Sequence, residues 1–209
     1  MTSRNPDGRP LIGDTVRLDL TTASDGTGLF AALNDTRVWA AGFGGGPAGR
    51  PTSVDQMDRW VAAAVADTRR PAAYTVRLLR DGPLGRAGTV VGTSSLGDVS
   101  LPDERIHLGW TAYSPGVWAS AVNPECKLLL LGHAFDDCGF GRVKLQTDLI
   151  NTRSQAAMRK LGAVREGVVR RDIRRADGSW RDSVLFSILV DEWPAVRAGL
   201  EARISGPGT

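Results

Sequence analysis

The sequence predicts an α+β domain in which a mixed β-sheet is covered by helices. Strand-like runs are interspersed with helical runs, and this mixture favours a sheet with helices packed against it. The composition agrees, because 42 % hydrophobic and 23 % charged residues are close to the globular average. A chain of 209 residues suits one domain with a sizeable core. We therefore expect a single domain over residues 11–204, with mobile tails at 1–10 and 205–209.

The predicted elements alternate along the chain without an internal repeat. Seven strands are predicted, at 15–20, 73–80, 88–98, 105–113, 142–147, 164–174 and 183–190. Five helices are predicted, at 25–35, 54–68, 123–138, 152–161 and 191–203.

Local chemistry supports several of these boundaries. Asn123-Pro124-Glu125 is typical of a helix start, with Asn as the cap, and Asp191 has the same role before the last helix. Gly139 and Gly162 follow their helices where a left-handed cap is favoured. Asp177-Gly178 predicts a hairpin turn.

A glycine-rich stretch occupies residues 40–53, AAGFGGGPAGRPTS. Such a composition is typical of a flexible linker. Because it joins two helices inside one predicted domain, a flexible loop beside a substrate entrance is the alternative.

Cysteine, histidine and hydropathy patterns exclude several classes of protein. Cys126 and Cys138 would lie about 18 Å apart on one helix, too far for a disulfide. His107 and His133 are the two histidines, and no metal-ligand spacing surrounds them. No apolar run reaches the roughly 18 residues that span a bilayer, and no secretory leader is recognisable, so we expect a cytoplasmic protein without a metal.

The formal charge of +3 is small but unevenly distributed. Six arginines crowd the predicted hairpin: Arg165, Arg170, Arg171, Arg174, Arg175 and Arg181. They form either a solvated surface or a site that attracts an acidic ligand, such as cofactor phosphates or a carboxylate-bearing substrate. Nucleic acid is not expected as a partner, because no aromatic platform is interleaved with these arginines.

Residues 147–163, TDLINTRSQAAMRKLGA, place a hydroxyl within an apolar helical stripe. Ser154, Ala157, Met158 and Leu161 follow the i, i+3, i+4, i+7 spacing of a core-facing helix side. A buried hydroxyl needs a hydrogen-bond partner. From spacing alone, Ser154 is a helix-start serine that bonds to the backbone or to Asn151.

This segment resembles the pattern TD-x-x-N-x-R-S of the GCN5-related N-acetyltransferases (GNAT), in particular the RimJ/RimL-like branch. The resemblance covers roughly residues 11–204 and includes GTVVGTSSLGDV, the stretch from Glu104 to Phe135, and the stretch from Arg165 to Ile204. It implies the GNAT fold: a mixed, mostly antiparallel sheet of six to seven strands with splayed central strands and helices on both faces.

The resemblance also implies acetyl-CoA as a co-substrate and indicates where it binds. The pantetheine arm is expected along the edge of the strand formed by Trp110, Thr111, Ala112 and Tyr113. The pyrophosphate is expected at the loop and helix start formed by Val117, Trp118, Ala119, Ser120, Ala121, Val122 and Asn123. Asn151 is expected at the pantetheine arm, Ser154 near the thioester sulfur, and Arg159 and Lys127 near the outer phosphates. The family usually has glycine at positions 119 and 121, and alanine there raises the question of a positive φ.

The implied reaction is the transfer of acetyl to a primary amine, on a protein N-terminus, an amino acid or a small molecule. Many relatives have a catalytic tyrosine where this chain has Met158, so Ser154 is the candidate that stabilises the leaving thiolate. His107, where relatives often have glutamate, is the candidate base, because its ordinary pKa is near neutrality; Asn151 completes the candidate catalytic set. The alternative is a CoA-binding or protein-interaction module on the same fold without catalysis. A homodimer is a further expectation.

Overall fold

A central β-sheet of eight strands organises residues 3–206, the part of the chain that the computed structural model describes. The strands are β1 (Leu11–Ile12), β2 (Val16–Leu20), β3 (Ala72–Leu78), β4 (Val90–Ser100), β5 (Arg105–Tyr113), β6 (Arg142–Asp148), β7 (Val164–Arg174) and β8 (Trp180–Leu189). The helices are α1 (Gly26–Leu33), α2 (Thr36–Trp39), α3 (Val54–Ala66), α4 (Val122–Gly132), α5 (Thr152–Leu161) and α6 (Trp193–Ser205). All seven predicted strands and all five predicted helices are present.

The strand order across the sheet is β1-β2-β3-β4-β5-β6-β8-β7. Only the β5–β6 pair is parallel, and every other neighbouring pair is antiparallel. The mixed, mostly antiparallel sheet of the prediction is therefore confirmed. Its count of six to seven strands rises to eight because the two-residue β1 adds to the edge beside β2.

The sheet has helices on both faces, as predicted. One face packs against α4, α5 and α6 through a large core that includes Leu18, Leu108, Leu130, Phe186 and Leu200. The opposite face packs against α1–α3 through a smaller core around Trp39 and Met57. Burial of apolar surface on both sides holds the helices to the sheet.

The central strands β5 and β6 diverge, which confirms the predicted splay. Their pairing is limited to Arg105–His107 against Arg142–Lys144. Beyond His107, β5 contains Trp110 with a φ of 49°, and its register with β4 shifts between the partners of Thr93 and Ser95. This bulge bends β5 away from β6, because an extra residue in one strand increases its local twist.

Helix α4 differs from the prediction at both ends. It begins at Val122 with Ala121 as the capping residue, so Asn123 lies inside the first turn and is not the cap. Glu125 is in the first turn, as predicted, and is buried. Its carboxylate accepts the backbone N–H groups of Asp14, Thr15 and Val16 at 2.7–2.8 Å. At the other end, the predicted helix continues to Asp137 as a five-residue π-helical segment that begins at His133.

Glu192, not Asp191, precedes the last helix as its capping residue. Gly162 and Gly178 have φ values of 98° and 86°, so the predicted left-handed cap and hairpin turn are confirmed. Cys126 and Cys138 are both free and buried.

Of the predicted tails, residues 1–2 and 207–209 lie outside the described residues. The segment from Ser3 to Arg9 lies along the π-helical segment, where Arg4 donates from its backbone N–H to Cys138 O at 2.9 Å and from Nε to Asp137 O at 2.9 Å. Its mobility stays a prediction.

Candidate active site

The divergence of β5 and β6 creates a cleft in the middle of the sheet. The edge of β5 from Leu108 to Tyr113 has no ladder to β6, so its backbone groups face the cleft. The four predicted strand residues, Trp110 to Tyr113, all belong to this edge. An extended ligand with amide groups can pair with such an edge by β-strand addition.

The loop between β5 and α4 is held in place by its own side chains. Trp118 Nε1 donates to Tyr113 O at 3.0 Å. Ser120 Oγ donates to Val117 O at 2.7 Å and accepts the backbone N–H of Val122 at 3.3 Å. These bonds direct the loop into the first turn of α4, beside the end of β5.

Ala119 adopts the left-handed conformation, with a φ of 60°. L-residues other than glycine, asparagine and aspartate rarely adopt this region because Cβ approaches the neighbouring carbonyl oxygen. The glycine-like backbone is thus retained at position 119 although the side chain is alanine. Ala121 has an ordinary φ of −66°, so alanine causes no backbone strain there.

Asn151 and Ser154 lie together at the start of α5. Asn151 caps the helix, and its Oδ1 accepts the backbone N–H of Ser154 at 2.9 Å. Ser154 is half-buried, and within residues 3–206 its hydroxyl makes no hydrogen bond to the protein. The Asn151 contact expected from spacing therefore involves the backbone of Ser154 and leaves the hydroxyl available to a ligand.

The predicted apolar stripe of α5 is partly correct. Leu161 is buried and Met158 half-buried, but Ala157 is exposed. The buried position that the pattern missed is Gln155, whose Nε2 donates to Leu149 O at 2.9 Å. A polar residue at this position has no apolar signal, so periodicity could not identify it.

Stacking brings the start of α5 to the β5–α4 loop. The guanidinium carbon of Arg153 lies 3.8 Å from the centroid of the Trp118 ring, and that of Arg37 lies 5.8 Å from the same ring. The predicted cofactor loop and the Asn151–Ser154 turn are therefore neighbours. Arg159, at the other end of α5, lies over the Phe186 ring at 5.7 Å.

Lys127 lies at the strand edge and not at the outer surface. Its Nζ donates to Thr111 Oγ1 at 3.1 Å, and Thr111 Oγ1 lies 2.7 Å from Ser94 Oγ. Burial lowers the pKa of the Lys127 ammonium to about 8. Its side chain therefore belongs to the part of the cleft that faces α4.

His107 is buried within the sheet, with 3 % of its surface exposed. Its Nδ1 lies 3.0 Å from Lys144 O and must donate, because a carbonyl only accepts. Its ring packs edge-on against Trp110, with centroids 5.0 Å apart. Burial lowers the pKa of His107 to about 3, with the nearby charge of Lys144 acting in the same direction, so the imidazole is neutral at pH 7.

On the face of α1–α3, an ion pair joins the end of β6 to the β7–β8 hairpin, and the glycine-rich stretch packs beside it. Asp148 is buried, and Arg175 of the β7–β8 hairpin donates to both its oxygens, at 2.7 Å and 3.0 Å. A Cβ at Gly42 would lie 2.6 Å from Asp148 Oδ2, and Ala176 donates from its N–H to Gly45 O at 3.2 Å. The glycine-rich stretch therefore packs within the domain against the hairpin.

Sequence reasoning did not identify Asp148 as a structural residue of the site. The signal that could have indicated this ion pair was a carboxylate at a strand end, in a chain whose arginines cluster in a later hairpin. Of those six arginines, only Arg175 and Arg181 are turned inward, and the other four are exposed on β7.

Membrane spans and metal clusters are both absent from residues 3–206. No helix in this range is long and apolar enough to cross a membrane. No group of three or more His, Cys, Asp or Glu side chains in the same range could hold a metal ion.

Known proteins with a similar sequence or structure share the fold described above. The sequence profile described as the acetyltransferase (GNAT) domain matches residues 16–164. A GCN5-related N-acetyltransferase from Brucella melitensis is 25 % identical with a TM-score of 0.84, covering 97 % of this chain and 88 % of the other. A protein named as an acetyltransferase from T. thermophilus is 31 % identical with a TM-score of 0.78, covering 94 % and 97 %.

Mycobacterium smegmatis RimJ in complex with CoA-disulfide has the same fold at 21 % identity, with a TM-score of 0.72 and 97 % coverage of both chains. Among curated protein sequences, no match is found.

Proposed function

Because the chain belongs to the GNAT acetyltransferase family, we propose that it transfers an acetyl group from acetyl-CoA to a primary amine by direct attack in a ternary complex. The observation that carries the proposal is that three features lie close together: the unpaired edge of β5, the start of α4, and the free hydroxyl of Ser154. Membership of the family supports acyl transfer from an acyl-CoA. The primary amine as acceptor and its direct attack are our proposal.

We propose that the cofactor lies across the cleft with its pantetheine arm along β5 and its pyrophosphate at the β5–α4 loop. The N–H groups at the start of α4 and the positive end of the helix dipole favour phosphate there. The retained left-handed backbone at Ala119 supports this position, because the loop has the conformation that glycine would adopt. Lys127 contacts the pantetheine side of the cleft through its place beside Thr111.

Ser154 stabilises the departing thiolate in this proposal. A hydroxyl without a protein partner can donate to sulfur as negative charge develops, which is worth most in a site shielded from water. Met158 cannot donate a proton, so the serine has no competing donor at the position where many relatives have tyrosine.

His107 is poorly suited to be the base, since its imidazole is buried and its pKa is near 3. We propose instead that the amine loses its proton to water before attack. The charges of Lys127, Lys144 and Arg181 all disfavour a proton on His107. The same electropositive field lowers the pKa of an amine held nearby, so that the neutral form enters more readily.

We further propose a cytoplasmic location and a homodimer. Exposed apolar side chains on and beside the β7–β8 hairpin, including Val168, Ile173 and Trp180, are suited to an interface. Light scattering after size exclusion measures the mass directly, and a single monomer mass at a protein concentration of about 100 μM would exclude a dimer of even micromolar affinity.

The central experiment is thiol release from acetyl-CoA with a panel of amines, together with calorimetric titration of acetyl-CoA. We expect saturable binding and amine-dependent thiol release. Binding without release from any amine would favour the non-catalytic alternative, and the absence of binding at millimolar acetyl-CoA would remove the cofactor assignment.

A further inference from the structure

Arg181 is, with Arg175, one of the two arginines of the cluster whose side chains are partly buried. Its Nε donates to Ser183 Oγ at 2.9 Å, and burial lowers the pKa of its guanidinium. An arginine carries five N–H donors. Among residues 3–206, the two terminal nitrogens of Arg181 reach no hydrogen-bond acceptor, so the donors of both are available.

The strand register places this side chain over the end of the cleft. Val184 and Phe186 face the core beside α4–α6, so Arg181 and Ser183, which alternate with them along β8, face the other side. Ser183 lies directly opposite Asp148, the last residue of β6. The bond to Ser183 directs the guanidinium back along this face, and its charge contributes to the low pKa of His107.

Two carboxylates near this end of the cleft are already paired. Asp148 is bound by Arg175 at 2.7 Å, and Asp98 lies 3.3 Å from Lys144. The charges of Asp148 and Asp172 both favour the protonated Arg181, and that of Arg175 opposes it. Both oxygens of Asp148 already accept bonds from Arg175. Within residues 3–206 neither Asp148 nor Asp172 makes a hydrogen bond to Arg181, so its terminal nitrogens can still bind an anion.

Beside β5, Arg70 and the β4 residue Ser95 each have a buried polar atom without a hydrogen-bond partner in residues 3–206. Arg70 lies over the Trp110 ring at 5.2 Å, and its Nε is buried without a hydrogen-bond partner although Asp67 lies 3.5 Å away. Ser95, directly opposite Gly109, has a buried hydroxyl without a partner in the described part of the chain. Buried donors of this kind cost free energy until an acceptor reaches them.

We infer that the amine substrate carries an anionic group, a carboxylate or a phosphate, which Arg181 binds while the amine faces the thioester. This inference rests on the proposed acetyl transfer and names the substrate class of the same site. Asp148 beside Arg181 precedes Asn151 by three residues, so an anion at Arg181 lies next to the turn that carries Ser154. The guanidinium fork suits either anion, because both accept two parallel hydrogen bonds.

The test uses pairs of amines that differ only in the anion: glycylglycine against glycylglycinamide, and O-phosphoethanolamine against ethanolamine. For each pair we measure kcat/KM by thiol release, and binding by calorimetry to the CoA-saturated protein. We expect the anionic member to be favoured about 10- to 100-fold, as hydrogen bonds to a charged group allow. The pair with the larger ratio identifies the carboxylate or the phosphate as the preferred anion.

The Arg181→Gln variant should bring this ratio close to one, mainly by raising KM for the anionic member. Arg181→Lys should retain part of the ratio, since lysine keeps the positive charge but lacks the two-pronged guanidinium. This variant also tests the inference if Arg181→Gln does not fold. Arg170→Gln is the matched control, because Arg170 is exposed on β7 and should leave the ratio unchanged.

The outcomes separate this inference from the proposed function. Thiol release without preference for the anion, or a preference that survives Arg181→Gln and Arg181→Lys undiminished, overturns the inference alone. Arg181-dependent binding of the anionic members without thiol release supports the inference and removes the acetyl transfer. Absence of anion-dependent binding and of anion-dependent turnover in the wild-type protein overturns the inference.

Discussion

At the scale of single residues, the site depends on which polar groups have protein partners and which do not. Asn151 uses its side chain to cap α5, while the hydroxyl of Ser154, three residues later, makes no hydrogen bond within residues 3–206. His107 has the opposite arrangement, because its Nδ1 is bonded and its ring is enclosed. The two candidate catalytic residues therefore lead to different predictions.

Ser154→Ala should lower kcat by about 10²-fold and leave the dissociation constant of acetyl-CoA within about twofold. The hydroxyl acts on charge that develops only in the transition state, so ground-state binding changes little. Thiol-release kinetics and calorimetry measure the two quantities. Thr152→Ala, an exposed change in the same helical turn, is the control, and an unchanged kcat in Ser154→Ala would exclude the role of the hydroxyl.

His107 should remain neutral from about pH 5 to 9, which proton NMR of the two histidine rings can measure, with His133→Gln for assignment. The pKa of about 3 is depressed below the ordinary 6.5, so the unfolded chain binds more protons between these values. His107 thus contributes stability that is complete above pH 6.5 and falls towards pH 3, by up to about 1.4 kcal/mol per pH unit. A His107 titration midpoint near its ordinary value would restore it as a candidate base.

At the scale of elements, the loop between β5 and α4 keeps a conformation that its sequence does not favour. Ala119 has a φ of 60°, which glycine adopts more easily, and the bonds of Trp118 and Ser120 hold the loop on either side of it. The loop conformation is therefore determined by the surrounding contacts and not by the local residue preference.

Ala119→Gly should raise the free energy of unfolding by about 0.5–1 kcal/mol, because relief of about 1–2 kcal/mol of left-handed strain exceeds the entropy that glycine adds to the unfolded chain. Urea unfolding measures the change. Ala157→Gly is the control with the opposite sign, since position 157 is exposed within α5 and glycine there should cost about 1 kcal/mol. A loss of stability in Ala119→Gly would mean that the loop holds alanine without strain.

At the scale of the whole molecule, the Asp148–Arg175 ion pair connects segments that are far apart in the chain. It joins the end of β6 to the β7–β8 hairpin, and Gly42 packs closely against the same carboxylate. The glycine-rich stretch, the hairpin and the turn before Ser154 are thereby positioned together at one end of the cleft.

Arg175→Gln should lower the free energy of unfolding by about 3 kcal/mol, because it leaves a carboxylate with 1 % exposure without its partner. The double variant Asp148→Asn/Arg175→Gln should recover part of this loss, since the buried charge is then absent. Urea unfolding gives both values, with the exposed Arg174→Gln as the control that should stay within about 0.5 kcal/mol of the wild type. Equal stability of Arg175→Gln and the wild type would show that water or another group compensates for the arginine.

Much of the architecture was predictable because it depends on local patterns. Strand-like and helical runs identified seven strands and five helices, and Gly162 and Gly178 marked chain reversals that glycine adopts easily. The boundaries were less predictable: Asn123 looked like a helix cap but lies inside the first turn. Glu125 is a first-turn acid, as predicted, and it also binds three backbone N–H groups near residue 15. A contact across more than a hundred residues leaves no mark in a local window.

The element order, the mixed sheet and the positions of Asn151 and Ser154 could be inferred from the amino acids alone, because periodicity, capping and motif spacing are properties of neighbouring residues. The folded structure was needed to show that His107 is enclosed, that Lys127 reaches Thr111, and that Arg175 and Arg181 turn inward while four nearby arginines stay exposed. Burial and charge pairing depend on what folds over a side chain. These properties, and not residue type, separate the groups that hold the fold from those free to meet a substrate.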